Sequence, residues 1–160
     1  MYYHVMQSPI GDLLLAGDDA ALHFVYFQGG PRPTKPDRDW EHSDKTFREV
    51  IRQLKAYFNG KLQKFDLPLA PEGTEFQMKV WRTLRSIPYG ETWSYGELAR
   101  RIRKPTASRA VGAANGQNPI PVIIPCHRVI GANGSLTGFG GGLPIKRKLL
   151  ELESSECTLF

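Results

Sequence analysis

The stretch SYGELARRIRKPTASRAVGAANG, residues 94–116, decides how the chain is read. Ser94-x-x-Glu97 has the form of a capping box, in which a hydroxyl and a carboxylate reciprocally satisfy the first amides of a helix. The helix it opens carries Leu98, Ala99 and Ile102 on its inner face. Lys104-Pro105-Thr106 makes a turn, and Ser108 to Gly116 forms a second short helix. Small residues at Ala107, Ala110, Gly112, Ala113 and Ala114 let two helices approach closely, as a helix-turn-helix requires. The same residues suit a plain helix packed against any neighbour, and this stretch alone leaves both readings open.

Upstream, Thr74 caps a helix with Phe76, Val80, Trp81, Leu84 and Ile87 on one side, stopped by the turn from Pro88 to Gly90. Downstream, Pro144 in a first turn opens a last helix, with Ile145, Leu149, Leu150 and Leu152 expected inward and Lys146, Arg147 and Lys148 outward. The first third is different. Three apolar runs at residues 2–7, 12–17 and 21–27 are separated by turn residues and predict an antiparallel meander. Gly29, Gly30, Pro31, Pro33 and Pro36 make a loop of residues 28–39. Ser43 then caps a helix in which Phe47, Val50, Ile51, Leu54, Tyr57 and Phe58 recur at helical spacing until Asn59-Gly60 ends it. Residues 64–73, KFDLPLAPEG, read as a last strand and a linker. The expected fold is α/β of the α+β kind. A small N-terminal antiparallel sheet with a helix spans residues 1–71, and a mainly helical domain with a helix-turn-helix spans residues 72–160.

The chain has 160 residues, 41% hydrophobic and 23% charged, the composition of a globular protein rather than a disordered tail. Its formal charge of +5 is unevenly spread. From Met1 to Pro71 nine basic residues face nine acidic ones, whereas from Lys79 to Lys148 twelve basic residues face only Glu91 and Glu97. That asymmetry suits a polyanionic partner, although basic helices are also often solvated faces. Two cysteines, Cys126 and Cys157, make no disulfide framework, the start MYYHVMQSPIG has no secretory character, and no apolar run is long enough to span a bilayer. A cytoplasmic protein with no membrane partner is expected. No spaced His and Cys ligand set exists, so neither metal nor cofactor is expected.

Residues 118–131, NPIPVIIPCHRVIG, carry the chemistry. They deliver Cys126, followed by His127 and Arg128, from what reads as an apolar, proline-clamped strand. A thiolate is the reactive form of cysteine, and adjacent cationic or hydrogen-bonding groups favour it. A buried structural cysteine beside a surface histidine is the plain alternative for a lone Cys-His pair.

The motif Pro125-Cys126-His127-Arg128-Val129-Ile130, with Asn118-Pro119 before it and Gly141-Gly142-Leu143 and Leu149-Leu150-x-x-Glu153 after it, resembles the active-site signature of the O6-alkylguanine-DNA alkyltransferases. The resemblance runs from about Phe76 to Glu153 and takes in Tyr89-Gly90-Glu91, Ser94 to Ala99 and Arg109-Ala110-Val111-Gly112. The first third is similar to that family's small α/β domain only in outline.

The resemblance implies stoichiometric DNA repair. The alkyl group of O6-alkylguanine, and of O4-alkylthymine, passes to Cys126 as a stable thioether, and each molecule acts once. His127 would take the thiol proton through a water, Glu153 would hold the imidazole, and Asn118 would brace the turn. Tyr95 would give a proton to the leaving base and help turn its phosphate outward. Arg109 would fill the stack that the flipped base leaves. Tyr95, Gly96, Lys104 and Arg109 would contact double-stranded DNA through its minor groove, with Gly112, Ala113 and Ala114 allowing close approach. Phe139, Gly140 and Val129 would line the alkyl pocket. Where several members of the family carry a tyrosine-serine pair, this chain has Phe139-Gly140, which implies a roomier pocket. Cys157 lies beyond the matched region as a bystander thiol. A monomer with no obligatory protein partner is expected. The competing reading is a helix-turn-helix sensor or regulator that uses Cys126 without repair.

Overall fold

The computed structural model describes residues 1–136 and 138–154; Cys157 lies outside the described residues. Three strands, β1 (Tyr2–Met6), β2 (Leu13–Gly17) and β3 (Leu22–Phe27), form the expected meander, with Val5 opposite Leu14 and Leu15 opposite Val25. Leu13, Leu14, Leu15 and Ala16 of the central strand are all fully buried, so both faces of the sheet are covered.

The sheet is not purely antiparallel. A two-residue strand, β4 (Glu41–His42), pairs parallel with β1 and gives the order β3-β2-β1-β4. The long proline-containing connection from β3 supplies the crossover that parallel pairing needs. The predicted strand within residues 64–73 is also absent. Leu69 makes only an isolated bridge to Leu22, because Pro68 and Pro71 remove the donors that a ladder requires.

The first long helix, α1 (Arg48–Phe58), begins later than expected, after a 3₁₀ turn over Lys45–Phe47 that Ser43 caps through its hydroxyl and the Thr46 amide. It buries Val50, Leu54, Tyr57 and Phe58. The next helix, α2 (Glu75–Leu84), has a complete capping box between Thr74 and Gln77. Its Trp81 indole donates to the Ala114 carbonyl at 2.8 Å, pinning α2 to the helix-turn-helix.

The two helices of that motif are α3 (Tyr95–Arg101) and α4 (Ser108–Gly116). Ser94 accepts from the Glu97 amide at 3.0 Å, but the Glu97 carboxylate turns to Arg100 and Arg101, so only half of the expected box forms. Arg103 closes α3 in the left-handed region, at φ 63°, where a single residue reverses the chain. Strands β5 (Trp93–Ser94) and β6 (Val129–Ile130) pair in parallel, and α5 (Leu143–Ser154) closes the described chain. Buried residues of both halves form one hydrophobic cluster. Among the described residues no helix is long and apolar enough to cross a membrane.

Candidate active site

Cys126 does not leave a strand. Residues 120–124 form a tight turn closed by the Ile124 amide on the Ile120 carbonyl, and Cys126–Arg128 form a 3₁₀ turn. The tight turn holds Val122 at φ 73°, a conformation that costs a β-branched residue about 1–3 kcal/mol and persists only where the surroundings over-determine it. Asn118 provides the bracing. Its Oδ1 accepts from the Ile120 amide at 3.0 Å, and its Nδ2 donates to the Ile124 carbonyl at 2.8 Å, so one side chain spans both ends of the turn. The Cys126 amide then donates to the same Ile124 carbonyl, which fixes the nucleophile's backbone relative to Asn118.

Behind the thiol lies a buried polar cluster. His127 Nε2 is 2.7 Å from Glu153 Oε2, and both side chains are at most 2% exposed. Arg128 is held within the same cluster. Its Nε and Nη2 donate to Glu153 at 2.7 and 3.1 Å, and its Nη1 donates to the Ile87 carbonyl at 2.8 Å. The Tyr57 hydroxyl donates to Glu153 Oε2. Burial alone would raise the Glu153 carboxyl, but the hydrogen bond from His127 and the Arg128 guanidinium outweigh it and hold the group at about 2. Burial lowers His127 below the ordinary histidine value, so the ring is neutral at pH 7. An anionic partner on Nε2 then requires the proton on that nitrogen, which leaves a lone pair on Nδ1, and Nδ1 has no hydrogen-bond partner among the described residues. Burial also pushes the Cys126 thiol up to about 11, against smaller opposing effects from Asn118 and Lys146. The resting thiol is therefore protonated and needs a base.

Lys146 is a correction. Expected outward with Arg147 and Lys148, it is fully buried on α5, where its Nζ donates to the Val129 carbonyl at 2.7 Å. Burial lowers its pKa, and the nearby thiol pulls it back up. Val129, expected in the alkyl pocket, is fully buried in β6, its carbonyl accepts from Lys146, and it is not among the residues lining the Cys126 cavity.

That cavity, about 140 Å³, is lined by Asn118, Pro121 and Cys126, by Gly138, Phe139 and Gly140, and by Asn115 of α4. A Cβ at Gly140 would meet nothing within 4 Å, so the glycine leaves open space there. Val25, Tyr26, Phe27 and Arg32 complete the wall from the N-terminal half, where the sequence showed no chemistry. Neither this wall nor the roles of Tyr57, Arg128 and Lys146 has a local sequence signal, since tertiary packing alone brings these residues to the cysteine.

The remaining site residues lie on the helix-turn-helix. Tyr95 opens α3 and packs against Gly112 of α4, where a Cβ would sit 3.6 Å from its ring. It is not among the residues lining the cavity. Lys104 and Arg109 are exposed, and Gly96 is half-buried on α3. The small residues divide differently from expectation. Ala114 is buried and Gly112 faces Tyr95, whereas Ala110, Ala113 and Gly116 are exposed in a strip beside Arg109. Of the basic excess, Arg128 and Lys146 are consumed internally, and Arg100 and Arg101 pair with Glu97.

Comparison with known proteins bears on this arrangement. Residues 75–155 match the family described as 6-O-methylguanine DNA methyltransferase, DNA binding domain, and residues 1–71 match its ribonuclease-like domain. A relative from Methanosarcina acetivorans named methylated-DNA–protein-cysteine methyltransferase is 57% identical over 155 residues, covering 97% of this chain and 99% of its own. One of the same name from Mycobacterium bovis is 50% identical over 165 residues, covering 100% and 99%. Among solved structures, Mycobacterium tuberculosis OGT in complex with DNA superposes with a TM-score of 0.92 at 49% identity, covering 99% of this chain and 96% of that one.

Proposed function

Because the chain belongs to the methylated-DNA–protein-cysteine methyltransferases, we propose that the Cys126, His127 and Glu153 line is the machinery by which it carries out that family's reaction. The protein is a DNA-repair methyltransferase that acts by direct reversal, taking the alkyl group from O6-alkylguanine in DNA onto its own Cys126.

The buried His127–Glu153 pair supports the following steps. Nδ1 of the neutral His127 takes the Cys126 proton through a bridging water, and the imidazolium so formed rests against Glu153, which is already ionised. The Cys126 thiolate attacks the alkyl carbon. A carbon–sulfur bond forms, the carbon–O6 bond breaks, and its electron pair moves to the base. Tyr95 supplies the proton that lets guanine leave neutral. The thioether cannot be hydrolysed by this site, so each molecule acts once. The open space at Gly140 supports acceptance of alkyl groups larger than methyl, and O4-alkylthymine is a second substrate.

DNA is held by residues 72–160, while residues 1–71 form the smaller domain. The exposed strip of Ala110, Ala113 and Gly116 supports close approach of α4 to the minor-groove floor. Arg109 then enters the base stack, while Lys104 and the Gly96 backbone meet phosphates. The protein works as a monomer with no obligatory protein partner. The buried free thiol on which the reaction depends supports a reducing, cytoplasmic location.

The observation that carries this reading is the buried ion pair of Glu153 with His127, the residue directly following Cys126. It is tested by mixing the protein with a duplex containing O6-methylguanine and measuring peptide masses. One methyl on the Cys126 peptide, absent in Cys126→Ala, is expected; no adduct, or repeated turnover, refutes it. DNA binding without transfer would point instead to a sensor or regulator.

A further inference from the structure

The last turn of α4 places a buried acceptor at the Cys126 cavity that the protein itself does not use. Asn115 is only 3% exposed and lines the cavity together with Cys126. Its Nδ2 donates to the Cys126 carbonyl at 3.4 Å. That contact orients the amide, because exchanging its nitrogen and oxygen would set two acceptors against each other. Oδ1 then has no hydrogen-bond partner among the described residues. Asn118, the other amide in this wall, has both ends occupied, with Oδ1 accepting from the Ile120 amide and Nδ2 donating to the Ile124 carbonyl. One asparagine braces the turn, and the other keeps an acceptor in reserve.

A buried amide oxygen without a donor is costly and rare in native proteins. This one is also held in place. The Trp81 indole donates to the Ala114 carbonyl at 2.8 Å, and the Asn118 amide donates to the Asn115 carbonyl at 3.4 Å, so the backbone that carries the side chain is tied on both sides. A fixed, buried and unsatisfied acceptor on the wall of a ligand cavity is complementary to a donor on the ligand. The chemistry of the base names that donor. Alkylation at O6 takes the hydrogen from guanine N1, which leaves N1, N3 and N7 as acceptors and the exocyclic 2-amino group as the base's one N–H donor. Alkylation at O4 likewise takes the hydrogen from thymine N3, and that base has no N–H donor left.

We propose that Asn115 is a specificity-determining residue: its Oδ1 accepts a hydrogen bond from the 2-amino group of the flipped O6-alkylguanine and sets this lesion above alkylated bases that lack the group. The proposal rests on the repair reading and names how that site selects among its substrates. A base without the 2-amino group leaves Oδ1 unsatisfied in the filled cavity, and a site built to receive a donor rejects a ligand without one more strongly than an apolar wall does. O4-alkylthymine is then the slower substrate for a reason unrelated to its size. Asn115 takes no part in the bonds made and broken at Cys126. The same helix carries Arg109 near its start, so the element whose arginine enters the stack also reads the extruded base.

The test measures single-turnover transfer, read from the mass of the Cys126 peptide, on duplexes of one sequence carrying O6-methylguanine or O6-methylhypoxanthine, which differ only by the 2-amino group. The unmodified protein is expected to favour O6-methylguanine by about tenfold, the value of one net hydrogen bond. Asn115→Leu, similar in volume and without polar atoms, brings the ratio close to one, and in that variant O4-methylthymine gains on O6-methylguanine. Asn115→Ala gives the same result where the leucine variant does not fold. Loss of the contact to the Cys126 carbonyl slows both duplexes alike and cancels in the ratio. Equal rates on the two duplexes in the unmodified protein overturn the proposal without recourse to any variant. So does a ratio that survives substitution, which would leave Asn115 as a support for the Cys126 backbone alone. Absence of transfer even from O6-methylguanine in the unmodified protein would refute the repair reading itself, and the discrimination with it.

Discussion

Strand β2 and the polar cluster behind Cys126 are equally inaccessible to water and are held by opposite means. Leu13, Leu14, Leu15 and Ala16 are fully buried and carry no side-chain polar atom, so their contribution is apolar area and dispersion and does not depend on pH. His127, Arg128, Lys146 and Glu153 are just as buried, and each is retained only because another group satisfies it. Water-excluded charge is expensive and rarely the most stable choice. The mechanism proposed above gives it a chemical use: a neutral imidazole with a fixed tautomer, beside an ionised carboxylate, would accept the proton of a thiol that burial otherwise keeps protonated.

The sharpest way to break this contrast is Glu153→Gln. Removing the carboxylate leaves Arg128 buried without its counter-charge, which costs about 3–5 kcal/mol by chemical denaturation, and it frees the His127 tautomer. Alkyl transfer per folded molecule should fall by a factor of about a hundred or more. Leu14→Ala should cost a comparable 2–5 kcal/mol, about the range for a buried leucine, yet leave the transfer rate of the folded fraction nearly intact. If both variants lose stability and transfer in the same proportion, the two regions do not differ in role.

A smaller effect separates them by pH. Glu153 and His127 both have folded-state values depressed below their unfolded ones, so the unfolded chain binds more protons and stability is lost as pH falls. The loss should begin as pH drops through the ordinary histidine value of about 6.5 and steepen between about 4.5 and 2. Stability of the unmodified protein measured against pH should therefore slope downward on the acid side, and a leucine-cored variant at His127 and Glu153 should flatten the slope. The smallest effect is expected from Tyr57→Phe, which removes one of the donors to Glu153 and should cost about 1–2 kcal/mol with a modest loss of transfer. No loss at all would show that Arg128 and His127 alone satisfy the carboxylate.

What could be read from the chain followed a physical divide. Local signals held where neighbours in sequence are partners in space. Thr74 caps as its box requires, Asn59-Gly60 ends α1, and the turn at residues 104–106 separates α3 from α4. The expectation failed where a distant partner decides. Lys146 reads as a solvated lysine until the Val129 carbonyl is seen to receive it, and residues 64–73 read as a strand until their prolines are set against the single bridge at Leu69. Glu97 was expected to complete a box, but two arginines one turn ahead compete for it successfully. At the site, Cys126 and His127 stand out as adjacent residues. The pairing of His127 with Glu153 came from resemblance alone, and nothing in residues 26–32 announces a cavity wall.

Arg101 lies over the Trp93 ring, 4.6 Å from its centroid, at the entrance to the helix-turn-helix. Trp81 is locked in the interior, and Trp40 stacks on Phe24 at the sheet surface. The three tryptophans of the protein thus sit in three unlike surroundings. If DNA docking draws Arg101 off the ring, Trp93 emission should change, and stopped-flow fluorescence would time that docking without any attached dye.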